Sequence, residues 1–222
     1  MLISCGRDHS AMIKIDGSLW VTGANSMRQL GIRGWHGGIF GFTRIATPSP
    51  CVALGCGQYS TMYISAEGYL WSAGDNNHGQ LGLGDGHPLK YERVREVPLV
   101  CRISCGYRHT LVIANDGTLW ATGDNTKGQL GTGDTINRKL FVRIGDFTDI
   151  ISVYCGNEVS IITRKDDSRW GAGSNFRGRI GIEGASIINT FTRIPYLPSL
   201  RPIHKKSRND EEYFEARART RV

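Results

Sequence analysis

The sequence predicts an all-β fold, either a β-propeller or a partial propeller of four blades of about 50 residues each. Three observations lead to this prediction. The same motif occurs four times, short apolar runs alternate with turn residues inside each copy, and 29 glycines stand against 7 prolines in 222 residues. Glycine in this amount, without a Gly-X-Y period, is typical of a chain with many tight turns. The 40% hydrophobic and 21% charged content indicates a folded chain that is long enough to bury a core.

The repeated motif begins with the dipeptide Cys-Gly, and successive copies of it are 51, 49 and 50 residues apart. A tryptophan follows 15 residues after each cysteine, a glycine three residues later, and an asparagine two residues after that. The cysteines are Cys5, Cys56, Cys105 and Cys155, and the tryptophans are Trp20, Trp71, Trp120 and Trp170. Because five positions align in four copies, we predict one repeat domain over residues 1–198, divided at about 2–52, 53–101, 102–151 and 152–198.

Each copy has the residue pattern of short strands. In the third copy, apolar runs at residues 110–114 and 118–122 flank Asn115-Asp116-Gly117, and Asp-Gly favours a tight hairpin turn. The fourth copy has Asp166-Asp167 at this position, which is a poorer turn sequence. Further apolar runs at 141–144 and 150–154 bring the number of strands to about four per copy, as in a propeller blade. Tryptophans that recur at this spacing are predicted to pack between neighbouring blades.

The third copy also carries the fullest form of a family motif. It reads Cys105-Gly106-Tyr107-Arg108-His109, then Asp116-Gly117-Thr118-Leu119-Trp120, and closes with Gly128-Gln129-Leu130-Gly131. With these motifs the chain resembles the repeats of the regulator of chromosome condensation family, over residues 2 to about 198. The resemblance implies blades that close into a ring, normally of seven. It also implies a protein-interaction module, with exchange-factor or regulatory action on a small Ran-like GTPase as the alternative. The founding member of the family is the chromatin-bound exchange factor that releases nucleotide from the small GTPase Ran.

Four copies are fewer than the family normally has, so the sequence leaves two architectures open. The four blades either close a small ring or form an open arc that needs another chain. An open arc exposes strand edges and the apolar sides of its terminal blades, which predicts a homo-oligomer.

Two variable residues separate Cys-Gly from the histidine position in every copy, and we predict that they form a partner-binding face. The pairs are Arg7-Asp8, Gln58-Tyr59, Tyr107-Arg108 and Asn157-Glu158. Arginine, tyrosine and acidic residues are typical of protein interfaces, although ordinary solvated turns are the alternative. The family resemblance assigns Asp8 and Glu158 to the acidic positions that matter for nucleotide exchange. It also implies a wedge insertion for full exchange, and the constant repeat spacing leaves no room for one.

Two further segments are candidate contacts. The first copy contains Trp35, Phe40 and Phe42 in an unusual aromatic stretch, which fits either a partner contact or packing of the outer strand. The segment 199–222 is a basic tail, since seven Lys/Arg minus four Asp/Glu give +3 of the total net charge of +7. Its sequence fits either a short helix or a disordered end. Its cluster of Arg201, Lys205, Lys206 and Arg208 predicts binding to chromatin or nucleic acid, or a nuclear import signal, with a solvated tail as the alternative.

The remaining sequence features argue against other function classes. No motif places a nucleophile beside a base, the glycine-rich segments lack the lysine of a phosphate-binding loop, and the repeat cysteines fall on separate blades. We therefore predict a protein that is not an enzyme and holds no metal or cofactor. His9 and His109 recur at one repeat position and are predicted to make structural hydrogen bonds. The low cysteine density and the lack of a spanning or leader segment predict an intracellular protein with reduced thiols and no membrane contact, in the cytoplasm or nucleus.

Overall fold

The computed structural model describes residues 1–34 and 37–195, and in them the chain forms four antiparallel sheets of four strands. Each sheet is one blade, and its strands follow one another in chain order. The first blade contains β1 (Leu2–Cys5), β2 (His9–Ile13), β3 (Leu19–Ala24) and β4 (Gly38–Ile45). The second contains β5 (Cys51–Cys56), β6 (Ser60–Ser65), β7 (Leu70–Gly74) and β8 (Glu92–Arg93). The third contains β9 (Val100–Cys105), β10 (His109–Ala114), β11 (Leu119–Gly123) and β12 (Arg138–Arg143). The fourth contains β13 (Ile150–Cys155), β14 (Val159–Arg164), β15 (Arg169–Ser174) and β16 (Ile187–Arg193).

In three of the four blades, the hairpin between the second and third strands is closed by a short chain of side-chain hydrogen bonds. In the first blade, Asp16 Oδ1 accepts from the backbone N–H and the hydroxyl of Ser18, and Trp20 Nε1 donates to the Ser18 hydroxyl at 2.8 Å. The third and fourth blades repeat this arrangement. Asp167 takes the place of the turn glycine and adopts its left-handed conformation, with φ +61°. The poorer turn sequence of the fourth copy therefore still forms the same hairpin.

The blades pack in chain order, so that β5 contacts both β1 and β9, and β9 contacts both β5 and β13. Three apolar clusters fill the spaces between the first and second, second and third, and third and fourth blades. Trp71, Trp120 and Trp170 each pack against the blade that precedes their own, as predicted for the repeated tryptophans. Trp20 has no preceding blade, and the Lys14 ammonium lies 3.7 Å from its ring centre instead.

The glycine that ends each Gln-Leu-Gly motif is required because an aromatic ring from the next blade lies against it. A Cβ atom on Gly31 would fall 2.3 Å from the Tyr91 ring, and one on Gly82 would fall 2.4 Å from the Phe141 ring. Gly131 stands in the same relation to Phe191. All three glycines also have φ between +67° and +72°, which side-chain-bearing residues rarely adopt.

The described part of the chain forms an open arc, because no apolar cluster there joins the first blade to the fourth. Phe42 shows this directly. It occupies the position of Tyr91, Phe141 and Phe191, which are at most 8% exposed, yet it is itself 43% exposed. Of the two architectures that the repeat count allowed, the structure therefore has the arc.

Two glycines at one repeat position provide a test of this packing. A Cβ on Gly106 would lie 2.3 Å from His109 Cε1 and 2.5 Å from the Gly156 carbonyl oxygen, whereas a Cβ on Gly156 would meet nothing closer than 3.8 Å. We expect Gly106→Ala to lower the free energy of unfolding by about 2 kcal/mol through overpacking. Gly156→Ala, the matched control, should change it by less than about 0.5 kcal/mol. Urea denaturation measures both, and equal losses would contradict the packing described.

Candidate functional site

The eight residues predicted to form a binding face lie in the four loops that join the first strand of each blade to the second. Successive loops are joined by backbone hydrogen bonds. The N–H of Arg7 donates to the carbonyl of Gln58 at 3.2 Å, that of Gln58 to Tyr107 at 3.3 Å, and that of Tyr107 to Gly156 at 3.2 Å. The four loops therefore form one continuous rim along the arc, beside an open cavity of about 370 Å³ that the Cys-Gly dipeptides line. We call the surface formed by residues 6–8, 57–59, 106–108 and 156–158 the loop face.

A second set of backbone hydrogen bonds fixes the second residue of each variable pair, which we call the outer residue. The carbonyl of this residue accepts from the N–H of the residue that follows the third-strand glycine of the same blade, at 2.7 to 2.9 Å. The outer residues are Asp8, Tyr59, Arg108 and Glu158, and the donors are Ala24, Asp75, Asp124 and Ser174. The loop backbone is thus held on both sides while the variable side chains differ from blade to blade.

The side chains of the loop face are partly ordered by contacts between blades. The Arg7 guanidinium donates to the Tyr59 hydroxyl and lies 3.5 Å from the Asp8 carboxylate. Gln58 is buried, and its amide donates to the Tyr107 hydroxyl at 2.6 Å. Gln58 therefore holds the exposed Tyr107 side chain in place, whereas the sequence predicted for Gln58 only a direct contact with a partner.

The two acids singled out by the family resemblance lie on the first and last blades. The Asp8 side chain is half exposed beside Arg7. The Glu158 carboxylate lies 3.8 Å from the guanidinium of Arg179, which stands where the other blades have Gln29, Gln80 and Gln129. Asp8 is therefore exposed and Glu158 partly exposed, and each has a guanidinium neighbour on this face.

His9 and His109 lie directly behind the rim and make the structural hydrogen bonds that the sequence predicted. His9 Nε2 lies 2.9 Å from the hydroxyl of Thr61, and that hydroxyl donates to the Gln29 carbonyl at 2.7 Å. Since the hydroxyl proton is already used, the imidazole Nε2 must carry the proton and donate. His109 makes the same connection to Ser160 in the next blade. Burial lowers the pKa of both histidines to about 4.

The repeated asparagine organises the long loop after the third strand. Its recurrence in the sequence indicated that it matters, but the hydrogen bonds that it makes are visible only in the structure. In the third blade, Asn125 Oδ1 accepts from the N–H of Leu130 at 2.9 Å, and its Nδ2 donates to Thr132 and Asp134. The equivalent residues bond in the same way to the backbone N–H five positions later, and they are Asn25, Asn76 and Asn175. Because the third strand ends beside the short loops, these long loops emerge at the rim of the loop face.

The other candidate residues lie elsewhere. Phe40 and Phe42 lie on β4, at the free side of the first blade, and both are exposed. Trp35 and the tail residues Arg201, Lys205, Lys206 and Arg208 fall outside the described residues. Within residues 1–34 and 37–195, no group of three or more His, Cys, Asp or Glu side chains could hold a metal ion, and no helix is long and apolar enough to cross a membrane.

Family comparison agrees with this architecture. Models of the regulator of chromosome condensation (RCC1) repeat match residues 2–29, 51–80 and 100–129, and also 67–113 and 116–162. Together these matches cover more than half of the chain. The repeated blades define a protein of the β-propeller class, and the chain belongs to the RCC1 repeat family.

Individual relatives share the repeat over parts of their length. The probable E3 ubiquitin-protein ligase HERC6 of Homo sapiens is 35% identical over 100 residues, which are 43% of this chain and 10% of the relative. The X-linked retinitis pigmentosa GTPase regulator of Mus musculus is 36% identical over 85 residues, or 37% of this chain and 8% of the relative. This chain therefore corresponds to a small part of these two proteins.

Solved structures match the fold over most of the chain. Human WBSCR16 superposes with a TM-score of 0.78 at 18% identity, covering 88% of this chain and 55% of WBSCR16. Prp20p from Saccharomyces cerevisiae gives a TM-score of 0.74 at 17% identity, covering 89% of this chain and 52% of Prp20p. The chain spans about half the length of these propellers, which agrees with an arc of four blades.

The buried histidines predict that stability depends on pH. Their pKa is about 4 in the folded chain and 6.5 when exposed, so the unfolded chain binds more protons between these values. The contribution of the two histidines to the free energy of unfolding should be fully present above about pH 6.5 and be lost as the pH drops towards 4. We expect the thermal midpoint to decrease by about 5 °C or more between pH 7 and pH 5.

The matched control exchanges each histidine for the residue found at the same position of another blade. His9→Ser with His109→Val copies Ser60 and Val159, and should make the midpoint nearly constant over this pH range. Calorimetry at several pH values measures the effect. A pH dependence that survives in the double variant would rule out the histidines as its cause.

Proposed function

We propose that the chain is a protein-interaction module of the RCC1 repeat family, and that it binds a protein partner through the loop face. The observation that carries this proposal is the rim of hydrogen-bonded loops, which fixes four variable residue pairs on one surface. The exposed side chains on that surface include Tyr107, Arg7 and Asp8, residue types that give interfaces their anchors and charge complementarity.

The rim would favour binding because its loops are ordered before a partner arrives. Ordering a mobile side chain at an interface costs about 0.5 to 1.5 kcal/mol. In this chain the loop backbone is held by bonds within and between blades, and the Tyr107 ring is held by Gln58. Less of the binding free energy is therefore spent on ordering the surface.

Lysine positions allow a direct test of which face a partner occupies. Lys127 and Lys139 follow the third strand of the third blade and lie on the side of the loop face, whereas Lys14 and Lys165 lie at hairpins on the opposite side. Lysine-reactive cross-linking of the full chain in a cell extract, followed by mass spectrometry, should join partner peptides to Lys127 and Lys139. Tyr59→Ala with Tyr107→Ala should remove these cross-links. Cross-links concentrated at Lys14 and Lys165, unaffected by that variant, would contradict the proposal.

A more specific candidate function is regulation of a small GTPase. One relative is named as a GTPase regulator, and the Prp20p structure is described together with the binding of that protein to Gsp1p and histones. Asp8 and Glu158 would be the acidic contacts, and their side chains are at least partly exposed on the loop face. Because the repeat spacing leaves no room for a wedge, we expect weaker acceleration than a full exchange factor would give. Chromatin binding through the tail stays a prediction from the sequence alone.

Nucleotide release from purified Ran tests this candidate. We expect the full chain to accelerate release of a fluorescent guanine nucleotide, and Asp8→Ala with Glu158→Ala to reduce the acceleration about tenfold, or 1.4 kcal/mol. The control is Glu96→Ala with Asp146→Ala, two exposed acids in loops on the opposite side. Equal acceleration by both variants would exclude the loop-face acids. No acceleration by the unmodified chain would reject Ran and leave the general interaction module standing.

A further inference from the structure

The arc ends in two blade faces that have no neighbour in the described chain. The leading flank is the free side of the first blade, and it presents Ile3, Met12, Trp20, Phe40 and Phe42. Register places Ile3 opposite Met12 and Met12 opposite Trp20, so these three side chains share one face. The trailing flank is the free side of the fourth blade, and it presents Val159, Ile161, Gly178, Gly181 and Ile194. Ile3, Phe40 and Phe42 of the leading flank are exposed, and Val159, Ile161 and Ile194 of the trailing flank are partly exposed. Neighbouring apolar side chains that are exposed together are typical of a surface that something covers.

The two flanks carry the same features as the two blade faces that meet at each of the three internal contacts between blades. At each internal contact, an aromatic ring of one blade covers the glycine that closes the preceding blade. Phe42 is the matching ring of the leading flank, and it covers nothing. Gly181 is the matching glycine of the trailing flank, and it is exposed, with only Ile194 of its own blade near its Cβ position.

A second pair of positions repeats this relation. In the two later internal contacts, the backbone of Lys139 lies against Gly79, and that of Asn189 lies against Gly128. Arg28 takes this glycine position in the first blade. Phe40 occupies the same position in the leading flank and is fully exposed. Gly178 occupies the glycine position in the trailing flank, and nothing lies within 4 Å of its Cβ position.

A polar pair completes the match. At the internal contacts, a hydroxyl on the second strand donates to the carbonyl of the glutamine in the preceding blade, as Thr110 does to Gln80 at 2.8 Å. Ser10 is the hydroxyl of the leading flank, and the Arg179 carbonyl takes the glutamine position in the trailing flank. Val159 replaces the histidine there. The contact between the second and third blades also lacks this histidine, because Ser60 stands in its place.

We propose that a second copy of this chain covers these flanks, with the leading flank of one copy packed on the trailing flank of the other. Two such contacts join two arcs into a closed ring of eight blades, which lies within the range of about 4 to 8 blades known for propellers. The contact is heterologous, yet it closes after two copies and leaves no free blade face. This inference is independent of the proposed function, because the flanks lie beside the loop face and not in it.

Sedimentation of the full chain at micromolar concentrations tests the proposal. We expect a mass of twice 24.5 kDa. Phe42→Asp on the leading flank and Ile161→Asp on the trailing flank should each give a monomer, and mixing the two variants should restore a dimer through the one intact pair of flanks. The control is Ile15→Asp, since Ile15 is almost fully exposed at a hairpin away from both flanks. Circular dichroism confirms that each variant is folded.

Each other outcome overturns the proposal. A monomeric unmodified chain would mean that the flanks do not recognise each other. A dimer lost only in Phe42→Asp would mean that two leading flanks pack together. Growing polymers would mean that the contact does not close.

A gain of affinity provides a second test that does not depend on damaging the chain. Val159→His restores the residue that His9 and His109 supply at two internal contacts, where it donates to the hydroxyl of the next blade. In the proposed ring that hydroxyl is Ser10 of the second copy. We expect the dissociation constant of the dimer to fall about two- to tenfold, and Ser10→Ala to cancel this gain in affinity. Unchanged dissociation in Val159→His would contradict the pairing of these two positions.

Discussion

The contact between one blade and the next is the interaction on which the rest of the structure depends. A single four-stranded sheet of this length cannot bury both of its faces, and each internal blade does so only against its two neighbours. The contact is built the same way three times. An aromatic ring lies on a glycine with positive φ, a tryptophan lies on the preceding blade, and a buried hydroxyl donates to a glutamine carbonyl. This arrangement fixes the distance and angle between blades, and thereby places their loops.

The loop face follows from that contact. Because the blades are held in one geometry, the N–H of one loop meets a carbonyl of the next, and the rim becomes continuous. His9 and His109 link the contact between blades to the loop rim. Each imidazole packs under the Cys-Gly glycine of its own loop and bonds to the next blade. The variable side chains are then presented on a fixed backbone.

Much of this organisation could be predicted from the sequence, because the residues that recur at a fixed spacing are those that pack one blade against the next. The spacing of Cys-Gly, tryptophan and glycine defined the blades, and the Asp-Gly turns defined the hairpins. The role of Gln58 could not be predicted, since only the position of the neighbouring blade shows that its amide reaches Tyr107. The choice between ring and arc was equally out of reach, because it depends on the angle between blades. Phe42 has the same residue type as Phe141 and Phe191, and only the absence of a covering blade distinguishes it.

Hydrogen exchange of individual amides shows whether the loop face is a rigid surface that is formed before a partner binds. The amides of Arg7, Gln58 and Tyr107 donate across blades, whereas those of Ile15 and Asp116 lie in exposed hairpin turns. We expect the three loop amides to exchange at least about a hundredfold more slowly than in an unstructured chain, and the turn amides to exchange freely. Loop amides that exchange as fast as the turn amides would show that the rim is not formed before binding.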